Sequence, residues 1–225
     1  MAAVEHHLEV SRTARYWVLG EGTAAPREVW FVLHGYGQLA RRFLTRFSAI
    51  DDGTRRIIAP EALSRFYVGS EAGRHGPASV VGGTWMTRED RERDIQDYVR
   101  YLDRLAEVSL AELGPEIRTV VLGFSQGVAT AARWTALGSM RPQRLLLWGD
   151  FLPPDLDGVR AVAAWADTEV LLVRGEDDRA LADEDLRAAE RERLEAVGLQ
   201  LPVHRYAGGH EVLPEVLESI AGSSS

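Results

Sequence analysis

The strongest constraint on this chain is the pentapeptide Gly123-Phe124-Ser125-Gln126-Gly127, set between the apolar run Thr119-Val120-Val121-Leu122 and the helix-forming run Val128-Ala129-Thr130-Ala131-Ala132. A strand that turns directly into a helix holds its corner residue at positive φ, which costs a residue with a Cβ about 1–3 kcal/mol. The corner also crowds the positions two residues to either side, and Gly123 and Gly127 supply the small residues needed there. A bare glycine-rich turn with a surface serine would share this spacing. The strand before it and the helix after it make Ser125 a candidate nucleophile instead.

Strand-like and helix-like runs alternate along the chain, which predicts an α/β fold with a mostly parallel, twisted sheet of about seven or eight strands and helices on both faces. The expected strands are Leu8 to Ser11, Ala14 to Leu19, Val29 to Leu33, Arg56 to Ala59, Thr119 to Leu122, Arg144 to Trp148, Glu169 to Val173 and Val203 to Tyr206. The first two, separated by a short polar corner, read as an antiparallel N-terminal hairpin. The continuous apolar runs at 144–148 and 169–173 suit central strands covered on both sides. Helices are expected over Leu39 to Ile50, Arg88 to Leu113, Gln126 to Leu137, Val159 to Ala166, Leu181 to Val197 and Leu213 to Ile220. Ile95, Val99, Leu102 and Leu105 recur at helical spacing and mark a packed face. Residues 1–221 read as one domain and 222–225 as a frayed tail. Ser64 to Trp85 and Gly149 to Gly158 fit neither pattern, and each leaves a predicted strand, where irregular connections often carry function.

The composition narrows the partners. The formal charge of −8 and the lack of any basic run exclude a nucleic-acid surface. The chain has no cysteine, which rules out disulfides, a thiolate nucleophile and thiolate-bound metal, and fits a reducing, cytoplasmic setting. Neither a signal-peptide start nor a membrane-spanning apolar stretch is present, so no stable membrane insertion is expected. Monomer and homodimer are equally compatible with the sequence.

A serine hydroxyl needs a base within hydrogen-bond reach and a third group to orient that base. Among the six histidines, His6 and His7 lie at the N-terminus, His75 in a polar loop and His204 in a strand. His34 sits in a glycine-flanked turn, where it more often braces the loop by hydrogen bonding. His210, in Tyr206-Ala207-Gly208-Gly209-His210-Glu211, follows the last predicted strand on a glycine loop able to carry an imidazole over the sheet edge. The carboxylate should follow a strand between serine and histidine. Glu176, Asp177 and Asp178 all satisfy that, and Asp150 ends the preceding strand. The order serine, acid, histidine with a Gly-x-Ser-x-Gly elbow is that of α/β-hydrolases. An oxyanion needs preorganised N–H donors, one from Gln126 after the nucleophile and one from Tyr36 in the turn His34-Gly35-Tyr36-Gly37. Phe66, Tyr67, Trp85 and Met86 are candidates to line an acyl pocket. The chemistry requires no metal or organic cofactor.

From Val29 to Leu217 these features together resemble the carboxylesterase/phospholipase branch of the α/β-hydrolases, which includes acyl-protein thioesterases. The resemblance rests on His34 to Gly37, the Gly-Phe-Ser-Gln-Gly elbow, Gly175 to Asp178 and Gly209 to Glu211. It implies a fold without a large lid domain and selects Asp178 as the acid. It also implies hydrolysis of a small-molecule acyl ester, lysophospholipid or thioester by Ser125, His210 and Asp178. Arg179-Ala180-Leu181 stands where the family commonly has a proline and a hydrophobic turn, and Val128 replaces a second glycine. Two other readings compete: a non-catalytic hydrolase-like binding protein, against which the intact serine, acid and histidine argue, and a nucleotide-binding α/β protein, for which no phosphate-loop motif is present.

Overall fold

The computed structural model describes residues 3–22, 25–69, 76–114 and 116–222. Its strands are β1 (Tyr16–Leu19), β2 (Glu28–Leu33), β3 (Arg55–Pro60), β4 (Ser64–Tyr67), β5 (Val81–Thr84), β6 (Arg118–Phe124), β7 (Arg144–Trp148), β8 (Glu169–Gly175) and β9 (Val203–Tyr206). Its helices are α1 (Ala40–Leu44), α2 (Arg91–Leu110), α3 (Gln126–Leu137), α4 (Gly158–Ala164), α5 (Glu184–Ala196) and α6 (Pro214–Gly222). Among the described residues seven strands form one sheet in the order β1-β3-β2-β6-β7-β8-β9, and β4 and β5 pair separately as an antiparallel ribbon. All neighbours in the large sheet run parallel except β1 and β3.

Alternation along each central strand divides the core in two. Val29, Phe31, Leu33, Val121, Leu145 and Leu147 face the layer that holds Ile95, Leu102 and Trp134 of α2 and α3. Trp30, Val32, Val120, Leu122, Leu146 and Trp148 face the other, with Phe43 of α1, Phe47, and Leu217 and Ile220 of α6. Burial on both sides is why these strands are apolar at nearly every position. Parallel strands present all their C-terminal ends on one rim, which is where ligands bind in open α/β sheets.

The expected N-terminal hairpin is replaced by a different pairing. Residues 8–11 form no strand, and β1 instead pairs antiparallel with β3, Tyr16 opposite Pro60 and Leu19 opposite Ile57. Trp17 and Leu19 gain a core face there, whereas Leu8 and Val10 stay 86% and 77% exposed, without a sheet surface to cover. The polar side chains of that segment bind α2 and the residue before it, His7 to Asp90 at 3.0 Å and Glu9 to Arg100 at 2.9 Å.

Other boundaries shift for local reasons. The helix expected over 39–50 divides into α1 and a 3-10 turn, Thr45–Ile50. The one expected over 181–197 starts late because Asp183 caps α5 through the N–H groups of Asp185 and Leu186. The unassigned stretch 64–85 contains the β4–β5 ribbon, with residues 70–75, His75 among them, outside the described residues. Gly222 ends α6, and the rest of the expected tail, 223–225, lies outside them as well. Among the described residues no helix is long and apolar enough to cross a membrane.

The elbow after β6 is as tight as its glycines require. Ser125 has φ 53°, and a Cβ added at Gly127 would lie 2.3 Å from the Leu33 carbonyl oxygen of β2. A Cβ at Gly123 would lie 2.1 Å from the Gly127 carbonyl oxygen. Backbone cannot yield cheaply on either side, so Gly127→Ala is expected to destabilise the protein by about 3 kcal/mol, read as a lower midpoint in urea unfolding; an unchanged midpoint would contradict this close approach.

Candidate active site

Ser125 stands at the junction of β6 and α3, its backbone N–H bonded to the Trp148 carbonyl at the end of β7 (2.9 Å) and its carbonyl accepting from Val128 N–H (2.7 Å). These two bonds fix the corner from the sheet side and the helix side. Gly149, next along the chain, adopts φ 77°, and a Cβ there would lie 3.5 Å from His210 Nδ1 and 3.6 Å from Asp178 Oδ2. The Phe124 ring, one residue before the serine, lies 4.9 Å from the His210 ring, centroid to centroid. The ends of β6, β7, β8 and β9 thus carry Ser125, Asp178 and His210 to one place on the rim.

His210 Nδ1 lies 2.8 Å from Asp178 Oδ2. A carboxylate only accepts, so the proton of this bond belongs to Nδ1, and Nε2 is left as the basic nitrogen. Asp178 is 2% exposed, and its second oxygen accepts from Ala180 N–H at 2.9 Å, capping the short 3-10 turn Arg179–Leu181. Both oxygens are therefore engaged, as burial of a carboxylate demands. Of the other candidate acids, Glu176 and Asp177 are exposed, with their N–H groups bonded to the carbonyls of Tyr206 and Gly208. Asp150 is half-buried and accepts from Phe151 N–H at 2.7 Å; burial pushes its pKa up, and no hydrogen bond joins it to His210.

The loop bearing His210 is held by two aromatic residues that core packing alone would account for in the sequence. Tyr206 Oη lies 2.8 Å from the Gly209 carbonyl and 2.7 Å from that of Glu211, and Trp148 Nε1–H donates to both Glu211 O and Tyr206 Oη at 3.0 Å. No motif marks either residue, because their polar ends act on backbone. Gly175 lies so close to this loop that a Cβ there would fall 2.4 Å from Gly208 O. The acid turn and the histidine loop are consequently packed as one unit.

The turn after β2 approaches the elbow from the other side. A Cβ at Gly35 would lie 3.0 Å from Ser125 Cβ. Gly35 N–H donates to Gln38 Oε1 at 2.9 Å, and Gly37, at φ 73°, donates to the Gly83 carbonyl of β5 at 2.9 Å. Among the described residues the N–H groups of Tyr36 and Gln126 have no acceptor, leaving both open to a ligand oxygen. His34 is fully buried in a bracing position: Nδ1 donates to Gly35 O at 2.8 Å and Nε2 accepts from Ala62 N–H at 3.1 Å. Those partners require the neutral ring, and burial holds its pKa below the ordinary value.

The pocket candidates separate. The Phe66 ring lies 5.0 Å from the Tyr36 ring, and Tyr36 is 61% exposed, so these two form an aromatic patch beside the turn; Tyr67, next along β4, is 45% exposed. Met86 is half-buried, its sulfur 3.4 Å from Arg133 Nη1. Trp85 is buried, with its indole N–H bonded to His34 O at 2.8 Å. A cleft of about 950 Å³ lies between the N-terminal segment and α2, with Trp85 but not Ser125 in its lining. One exposed group of potential metal ligands among the described residues, Glu5, His7 and Asp90, also belongs to that region.

The sequence model of the Phospholipase/Carboxylesterase family matches residues 17–223. No curated protein sequence matches the chain significantly. Among solved structures, esterase PE8 superposes with a TM-score of 0.67 at 20% identity, covering 94% of this chain and 98% of that one. Acyl-protein thioesterase 2 from Zea mays gives 0.67 at 16% identity, with 94% and 97% covered. TT1662 from Thermus thermophilus gives 0.61 at 19% identity, with 94% and 95% covered. At these identities the structural likeness establishes the fold.

The neutral, buried His34 links stability to pH. The folded state keeps this ring unprotonated below the ordinary histidine pKa, while the unfolded chain binds the proton. Stability is thus fully present above about pH 6.5 and declines as pH falls below it. Between pH 7 and 5 the wild-type melting temperature should fall more steeply than that of His34→Gln; parallel curves would contradict the assignment.

Proposed function

The chain belongs to the phospholipase/carboxylesterase family of α/β-hydrolases, and from that premise we propose that it hydrolyses carboxylic esters through an acyl-enzyme. Ser125 Oγ attacks the carbonyl carbon as His210 Nε2 takes its proton, and the imidazolium then returns the proton to the leaving alcohol. Water, activated by the same nitrogen, attacks the acyl-enzyme and releases the acid. Asp178 orients the ring and balances the charge that His210 carries midway. Tyr36 and Gln126 N–H groups receive the oxyanion of both tetrahedral intermediates.

The observation that carries this reading is the bond between His210 Nδ1 and the buried Asp178, made beside a serine held at φ 53°. A histidine that only braces structure has no need of a buried carboxylate committed to one nitrogen while the other is left free to act as a base. Acceptor-free N–H groups at Tyr36 and Gln126 add the electrostatic part. The aromatic patch of Tyr36 and Phe66 favours an apolar acyl group, with lysophospholipids and thioesters included in the substrate class.

Steady-state kinetics on p-nitrophenyl esters of increasing acyl length test the roles and the substrate together. Ser125→Ala and Asp178→Asn should each lower kcat by about 10⁴-fold while leaving the melting temperature close to wild type. Activity of Ser125→Ala within tenfold of wild type would overturn the nucleophile assignment.

A further inference from the structure

The two proposed oxyanion donors come from segments 90 residues apart, Tyr36 after β2 and Gln126 at the start of α3. Each must lie about 2.7–3.1 Å from the oxyanion, so their separation has to be set to a few tenths of an ångström. A third segment, Gly82 to Met86 at the end of β5, is bonded to both.

On the Tyr36 side, Gly83 exchanges two backbone hydrogen bonds with the turn, accepting from Gly37 N–H and donating to Gln38 O, each 2.9 Å. Gly82 lies against the same turn so closely that a Cβ would fall 2.4 Å from Gly37 O. The Trp85 indole N–H donates to His34 O at 2.8 Å, and its ring lies 5.1 Å from the His34 ring. On the Gln126 side, the side-chain amide is used completely on this segment. Its Nε2 donates to Thr84 Oγ1 at 3.0 Å and Met86 O at 2.9 Å, and its Oε1 accepts from Trp85 N–H at 3.1 Å.

Trp85 therefore meets both halves, the indole N–H on the residue two before Tyr36 and the backbone N–H on Gln126 itself. Tyr98 packs edge-on against the indole at 6.3 Å and fixes its plane from the core side. We propose that Trp85 is the positioning residue of the oxyanion hole, setting the spacing of the Tyr36 and Gln126 amides through segment 82–86. The inference rests on the ester-hydrolase reading above. It also gives the β4–β5 ribbon a catalytic purpose: it anchors the spacer while presenting aromatic surface to solvent. A bulky core tryptophan would serve packing equally well without its N–H, so the N–H separates the two roles.

Trp85→Phe keeps the aromatic body and removes that N–H. A donor shifted by a fraction of an ångström weakens the transition state more than the ground state, so kcat on p-nitrophenyl acetate should fall about 10- to 100-fold with KM within about twofold. The inhibition constant of an aryl trifluoromethyl ketone, which adds to Ser125 as a tetrahedral oxyanion, should rise by the same factor as kcat falls. Thr84→Val, which removes one anchor of the Gln126 amide and is isosteric, should move both quantities the same way by about 3- to 10-fold, and it reads the same geometry should Trp85→Phe fail to fold. Folded variants that keep kcat within about twofold of wild type, or lose kcat without weakening ketone binding, would overturn the positioning role. Wild-type protein that neither turns over esters nor binds the ketone would instead overturn the hydrolase reading and this inference with it.

Discussion

The rim of this sheet is organised around one close approach, the backbone of Gly127 lying against the carbonyl of Leu33. Without a Cβ between them, α3 can begin directly over β2, and Ser125 is forced to φ 53° at the corner. The strain is supported by bonds on both sides, to Trp148 O and from Val128 N–H. The same contact brings the turn after β2 alongside the elbow, so Gly35 faces the serine and Tyr36 N–H comes to the same rim as Gln126 N–H. The placement of the proposed nucleophile and oxyanion donors thus follows from a single steric fact.

Electrostatics decides how the other half is built. Asp178 is buried with each oxygen occupied, one by His210 and one by Ala180 N–H, which makes its charge tolerable and its geometry fixed. Its loop neighbours are held by backbone bonds to the histidine loop, and that loop by the Tyr206 hydroxyl and the Trp148 indole. His34 illustrates the opposite solution, a buried imidazole kept neutral because one nitrogen donates and the other accepts. Two histidines in one molecule are assigned different work by the partners of their nitrogens, one bracing a turn and one carrying a basic nitrogen to the rim.

Much of this was legible in the sequence wherever a residue type is dictated by backbone geometry or by the sheet's two-sided burial. The glycines of the elbow and the apolar central strands are of that kind. The carboxylate partner of His210 was less legible. Glu176, Asp177 and Asp178 are equivalent by residue type, and only resemblance preferred the last; in the fold, Asp178 alone among them is buried and bonded to His210. The N-terminal segment misled because alternation at Leu8 and Val10 has the period of a strand without a sheet face to receive it. Trp85 was read as a pocket candidate from its place in a loop, yet it is buried and bonded to backbone. Contacts from a side chain to distant backbone, such as those of Trp85, Gln126 and Tyr206, leave no periodic or motif trace.

The central claim is that Ser125 is activated by His210 at the rim. Reaction with a fluorophosphonate followed by peptide mapping tests it directly, since such reagents trap an activated serine and spare ordinary ones. The account predicts one phosphonyl adduct, located on the peptide containing Ser125, and its loss when His210 is replaced by alanine. An adduct on another residue, or undiminished labelling after the His210 replacement, would contradict it.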